Sequence, residues 1–214
     1  MSSPFLVLAL PRSQTAWISC FLSYGNWHCG HEQLRYARSI DDVASWLSIE
    51  GVGTAETAAA AHWRLALRLR PDLRIITIRR PAKEVVDSLV RLQVGFDARR
   101  AEQMVKRLDA KLDQIERRGA NVTSIPFHEL TGREGAEKLW SSCLGPSGLP
   151  FDEDWYSRLA QINIQFDLSL MLRYYFANLP QLSRFSHEAK LATIALLKEN
   201  HPRSAQILPF AQRR

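Results

Sequence analysis

The chain has 214 residues, 46% hydrophobic and 23% charged, which suits one globular domain with a sizeable core. Its net charge is +6 and only six of its 28 basic residues are lysines; such an arginine surplus points to oxyanion ligands, because a planar guanidinium grips their oxygens in pairs. No apolar run nears the ~18 residues of a membrane span, no basic segment precedes the first run, and three cysteines are odd in number and without zinc spacing, so secreted and membrane classes are excluded and a reduced, cytoplasmic setting is expected.

Phe5–Leu10 is six apolar residues closed by Pro11, the pattern of a buried strand. Thr15–Tyr24 predicts a short helix. Trp27–His31 and Ile49–Gly53 are weaker strand candidates, separated by a helix that starts at Ser39, a capping residue ahead of Asp41 and Asp42. Glu56–Arg70, rich in Ala and Leu, predicts a helix stopped by Pro71. Arg74–Ile78 is the clearest second strand, followed by a helix over Ala82–Leu92. Apolar residues three or four apart predict an amphipathic helix over Ala98–Arg118, with Gly119 at the position after its end. Val122–Pro126 reads as one more strand, and Thr131-x-x-Glu134 as a capping box opening a helix that ends near Gly145. Beyond Pro150 the pattern is helical or irregular, with Gln161–Phe176 read as a packed helix.

Strands alternating with helices predict an α/β fold: a mainly parallel sheet of about five strands between two helical layers. Residues 1–130 read as a cofactor-binding core and 131–214 as a mostly helical tail of the same single domain. In such sheets the turn after the first strand is the favoured phosphate site. Here it reads Leu10-Pro11-Arg12-Ser13-Gln14-Thr15-Ala16-Trp17, a cation and two hydroxyls beside the start of a helix. The patterns GxxxxGK[ST] and GxGxxG are both absent, which disfavours an ordinary P-loop kinase and a dinucleotide oxidoreductase.

This loop resembles the 5′-phosphosulfate-binding loop of sulfotransferases that use 3′-phosphoadenosine 5′-phosphosulfate (PAPS), Pro-[Arg/Lys]-Ser-Gly-Thr-Thr-Trp. The chain matches at Pro11, Arg12, Ser13, Thr15 and Trp17, and departs at Gln14, where the family has glycine, and Ala16, where it has a second hydroxyl. A second element of the family is a strand ending in Arg-x-Pro, followed by a helix bearing a serine. Ile75–Arg80 and Pro81 precede Ser88, one residue further on than the commonest family spacing. The resemblance covers roughly residues 5–130. It implies a P-loop-like fold and PAPS, or its product adenosine 3′,5′-bisphosphate (PAP), as the nucleotide. It places Arg12, Ser13, Gln14, Thr15, Ala16 and Trp17 at the nucleotide, Arg12 as catalytic cation, and Arg79 with Ser88 at the 3′-phosphate. Arg80 is the alternative to Arg79.

The general base of that family is a His or Glu. Trp27-His28-Cys29-Gly30-His31-Glu32 is the densest cluster of such groups. A strand through it puts His28 and Glu32 on one face and His31 on the other. A turn at Gly30 instead brings His31 and Glu32 to the carboxyl edge, and either is then the expected base. A metal site from His28, Cys29, His31 and Glu32 is compressed and lacks a distant second pair, so no metal is expected. Thr54 is a possible cap or cleft residue. The expected acceptor is a hydroxyl or amine of unspecified identity. A modest net charge, and no helix with a continuous basic face carrying base-reading residues, argue against nucleic acid as partner. The alternatives are a divergent P-loop phosphotransferase and a non-catalytic member that binds a nucleotide or a protein.

Overall fold

The computed structural model describes residues 3–57, 62–91, 97–119 and 121–161. Five strands, β1 (Phe5–Ala9), β2 (His28–His31), β3 (Val52–Glu56), β4 (Arg74–Arg79) and β5 (Val122–Pro126), form one sheet in the order β2-β3-β1-β4-β5. Every neighbouring pair is parallel. β1 is central and wholly buried, which is why it reads as an unbroken apolar run rather than an alternating one.

Alternate residues of β1 divide the core into two layers. Phe5, Val7 and Ala9 pack with α1 (Thr15–Phe21), α7 (Arg133–Cys143) and α8 (Glu153–Ala160). Leu6, Leu8 and Leu10 pack with α2 (Ile40–Leu47), α3 (Trp63–Leu69), α4 (Ala82–Arg91) and α5 (Ala98–Arg118). The fold is therefore a three-layer α/β sandwich, as the alternation of elements predicts. The tail covers the α1 face through indole donors: Trp17 Nε1 bonds Leu159 O at 3.1 Å, and Trp155 Nε1 bonds Phe21 O at 2.9 Å. Arg74 ties the end of α7 to the sheet by donating to the carbonyls of Ser142 and Cys143 at 2.8 and 2.7 Å, a favourable use of a cation at a helix C-terminus.

Several boundaries move for physical reasons. β3 lies later than Ile49–Gly53, because the polar Thr54 and Glu56, expected as a cap or cleft residue and a helix start, are fully buried strand residues. Glu56 therefore ends a strand, and the helix after it is Trp63–Leu69. Ser39 does cap α2, in a reciprocal box with Asp42. Thr131 does not cap α7: its hydroxyl donates to His128 O at 2.8 Å, closing the one-turn α6 (Phe127–Leu130), and Gly132 is the N-cap. Gly119 has φ −82°, not the left-handed conformation of a usual C-terminal glycine; a Cβ there would stand 2.3 Å from Val122 Cγ2. Cys20, Cys29 and Cys143 are buried and free. Among the described residues no helix is long and apolar enough to cross a membrane. The Gln161–Phe176 helix lies, apart from Gln161, outside the described residues.

Candidate functional site

The loop after β1 folds through two left-handed residues, Arg12 (φ 66°) and Gln14 (φ 59°, ψ 23°). Gln14 thus adopts, at a steric cost, the conformation a glycine takes freely. Between them Ser13 is fully buried, and its hydroxyl has no hydrogen-bond partner among the described residues. Thr15 opens α1, and Gln14 faces solvent.

Two further segments converge on this loop. Arg12 Nε donates to Ser88 Oγ on α4 at 3.3 Å. Arg80 donates to the carbonyl oxygen of Arg12 and lies over the Phe127 ring, 4.5 Å from its centroid. Glu84 pairs with Arg80 at 3.3 Å. Burial, and then the positive charge of Arg80, hold the Arg12 guanidinium below its ordinary value. Among the described residues no carboxylate is paired with Arg12. Two cations and two hydroxyls thus meet at the carboxyl end of the central strands with no acid beside Arg12, an environment that favours an anion.

Arg79 is turned away from this place. Its guanidinium reaches α5, with Asp109 at 3.1 Å and Asp113 at 2.5 Å. Alternating side chains on β4 send Arg79, expected with Ser88 at a 3′-phosphate, to the layer that holds α5, and the next arginine, the alternative, faces the loop. Trp17 is likewise a core residue, 8% exposed and stacked on Phe21 at 4.6 Å, with Ala16 buried beside it.

On the other side of the loop, His31 Nε2 lies 3.2 Å from Thr15 Oγ1, joining the end of β2 to the start of α1. The chain turns at Glu32 (φ 54°), not at Gly30, which lies within β2. Both His31 and Glu32 still reach the carboxyl edge. The Glu32 side chain is turned to β3, where Oε1 accepts the Thr57 hydroxyl at 2.6 Å and its N–H at 2.9 Å. His28 begins β2 opposite Val52, at the far end of the sheet from the loop. Among the described residues no group of three or more His, Cys, Asp or Glu is arranged to hold a metal ion.

The sequence reading missed Glu56. It is fully buried at the end of β3, and Oε1 accepts from Leu34 N at 2.8 Å and Thr54 Oγ1 at 2.7 Å, while Oε2 has no partner among the described residues. Burial foremost, with the charge of Glu32, pushes this carboxyl up to about 8. The available signal is an acid directly after the buried-type run Val52–Ala55, a place that also suits the first residue of a helix.

A parallel sheet in the order β2-β3-β1-β4-β5 between two helical layers defines a three-layer α/β protein. A solved structure described as "Sulfotransferase Domain from the Curacin Biosynthetic Pathway" shares this fold, with a TM-score of 0.58 over 75% of this chain and 78% of that one, at 11% identity. No protein-family model matches the sequence, and no curated protein matches it.

Proposed function

We propose that the protein is a sulfotransferase that uses PAPS. The observation that carries this reading is the meeting of the two separated motifs: Arg12 Nε and Ser88 Oγ are 3.3 Å apart, with Arg80 bonded to the same loop. The unpartnered Ser13 hydroxyl and the mutual repulsion of Arg12 and Arg80 fit an anionic group at this place. When bound, PAPS supplies an activated sulfuryl group whose transfer leaves PAP.

The roles follow from position. Arg12, Ser13 and Thr15 hold the 5′-side anion, and Arg12 offsets the charge that grows there during transfer. Ser88 and Arg80 hold the 3′-phosphate, with Arg80 in the place first given to Arg79. Arg80 is oriented for it by Phe127 and Glu84. His31 is the general base: its Nε2 lies against Thr15, whereas Glu32 Oε1 is occupied by Thr57. The proton it takes comes from an acceptor hydroxyl or amine.

Thermal-shift measurements with PAP, magnesium–ATP and coenzyme A test the reading. Stabilisation by PAP alone is expected. Stabilisation by magnesium–ATP alone would replace it with the phosphotransferase alternative. Once an acceptor is in hand, His31→Ala should lower turnover by about 100-fold or more while sparing PAP affinity.

A further inference from the structure

The charges of α5 are sorted, not mixed. At 3.6 residues per turn its apolar residues Ala101, Val105, Leu112 and Ile115 face the core. Asp109, Asp113 and Glu116 form the adjoining stripe and are engaged by β4 and β5: the first two with Arg79, and Glu116 with Thr77 at 2.5 Å and Ser124 at 3.0 Å. Glu102, exposed one turn from Lys106, continues that acidic flank, and the other charged residues are basic. Arg100, Arg107, Lys111 and Arg118, spaced seven, four and seven apart, make one straight row; Arg99, Lys106 and Arg117 make a second, ~100° round the helix. Gln103, Ala110 and Gln114 lie between the rows. All but Lys111 of these seven cations are exposed. α5 thus carries a basic face along its length.

Only one end of this arrangement serves the helix itself, where Arg117 and Arg118 in the last turn suit the macrodipole. Arg99 and Arg100 stand in the first turn, against the macrodipole, and Arg107 and Lys111 are a like-charged i,i+4 pair. Among the described residues only Arg100 of the seven has a carboxylate partner, Asp97 at 3.5 Å. By composition, residues 92–96 carry no acid, and residues 162–214 carry seven bases against three acids.

The geometry points to this face as the docking surface for an acidic partner protein, one that presents a helix with carboxylates along its length. The face runs ~27 Å along a straight axis, the scale of a five-turn helix about 10–12 Å wide. Such a helix fits between the two rows without reaching the acidic stripe. In a DNA major groove phosphates flank the reading helix on both sides, and one flank of α5 is the acidic stripe. A bilayer or single-stranded nucleic acid calls for exposed large apolar or aromatic residues, and the residues between the rows are Gln and Ala. Position adds a purpose. Asp109 and Asp113 sit at the end of β4, so residues 98–108 continue ~16 Å beyond the edge that carries Arg12 and His31. A partner held there stands beside the mouth of the candidate site. This surface is independent of the chemistry proposed for that site.

The test uses the full chain and an alanine-based helical peptide with glutamates in two rows at the same seven-four-seven spacing. Comparison probes are a scrambled peptide of equal composition, a DNA duplex of similar length, and phosphatidylserine-containing vesicles. The patterned peptide should bind most tightly, and binding should weaken steeply between about 50 and 200 mM salt. Arg100→Glu with Arg107→Glu should weaken it about tenfold or more, whereas Arg64→Glu on α3 should not. If the double reversal lowers the melting temperature, Arg100→Gln with Arg107→Gln must still weaken binding. Equal binding of the scrambled peptide, tighter binding of duplex or vesicles, or indifference to these substitutions would overturn the proposal.

Discussion

Gln14 and Glu56 show what single residues contribute at this site, and each carries a prediction. Gln14 holds a left-handed conformation that its side chain disfavours. Gln14→Gly should therefore stabilise the fold by about 1 kcal/mol, read as a rise in melting temperature. A fall would mean that the exposed Gln14 side chain makes a stabilising contact. Glu56 ionises near 8 when folded and near 4.5 in an open chain. Between those values the unfolded chain ionises while the folded one keeps its proton, so stability falls as pH rises through this window. Above about pH 8 the loss is complete, a few kcal/mol by linkage. Glu56→Gln should flatten that part of the curve, leaving the variant close to wild type near pH 5 and more stable near pH 9 in urea titrations. Identical slopes in both proteins would remove Glu56 as the cause. The two differ in legibility: Gln14 stands at the glycine position of the resembled loop, which marks a special backbone, whereas the buried acid Glu56 runs against local propensity and only tertiary packing imposes it.

At the scale of elements, the sequence signal was strongest where burial is simple. β1 and α5 are read almost to the residue, because an unbroken apolar run and a 3.6-residue stripe each have one physical meaning. β3 was displaced because Thr54 and Glu56 satisfy one another inside the sheet, a pairing invisible along the chain. Gly53 illustrates the same point. A Cβ there would meet the Phe5 ring at 2.2 Å across the β1–β3 pair. Gly53→Ala should cost about 1–3 kcal/mol through overpacking, whereas Ser39→Ala, which removes only the α2 cap, should cost about 1 kcal/mol. Denaturant midpoints of the two variants give the comparison; a larger loss at Ser39 would show that the β1–β3 contact yields easily. Arg79 and Arg80 mark the limit of motif reading. Both precede the same proline, and only the alternation of β4 decides which one faces α5 and which one the loop.

For the molecule as a whole, the surplus of six positive charges resolves into separate uses. Arg12 and Arg80 stand at the carboxyl edge of the central strands, Arg74 and Arg79 are structural ties, and α5 collects an exposed basic face. The central claim is that the first two form, with Ser88, one anion site that holds a bisphosphorylated nucleotide. Calorimetric titration of PAP into the wild-type chain and into Arg12→Ala, Arg80→Ala and Arg79→Ala tests this most directly. Wild type should bind, Arg12→Ala and Arg80→Ala should each lose about 10- to 100-fold in affinity, the worth of a charge-assisted hydrogen bond, and Arg79→Ala should bind nearly as wild type does. No binding by the wild type, or a loss with Arg79→Ala and none with Arg80→Ala, would contradict the account.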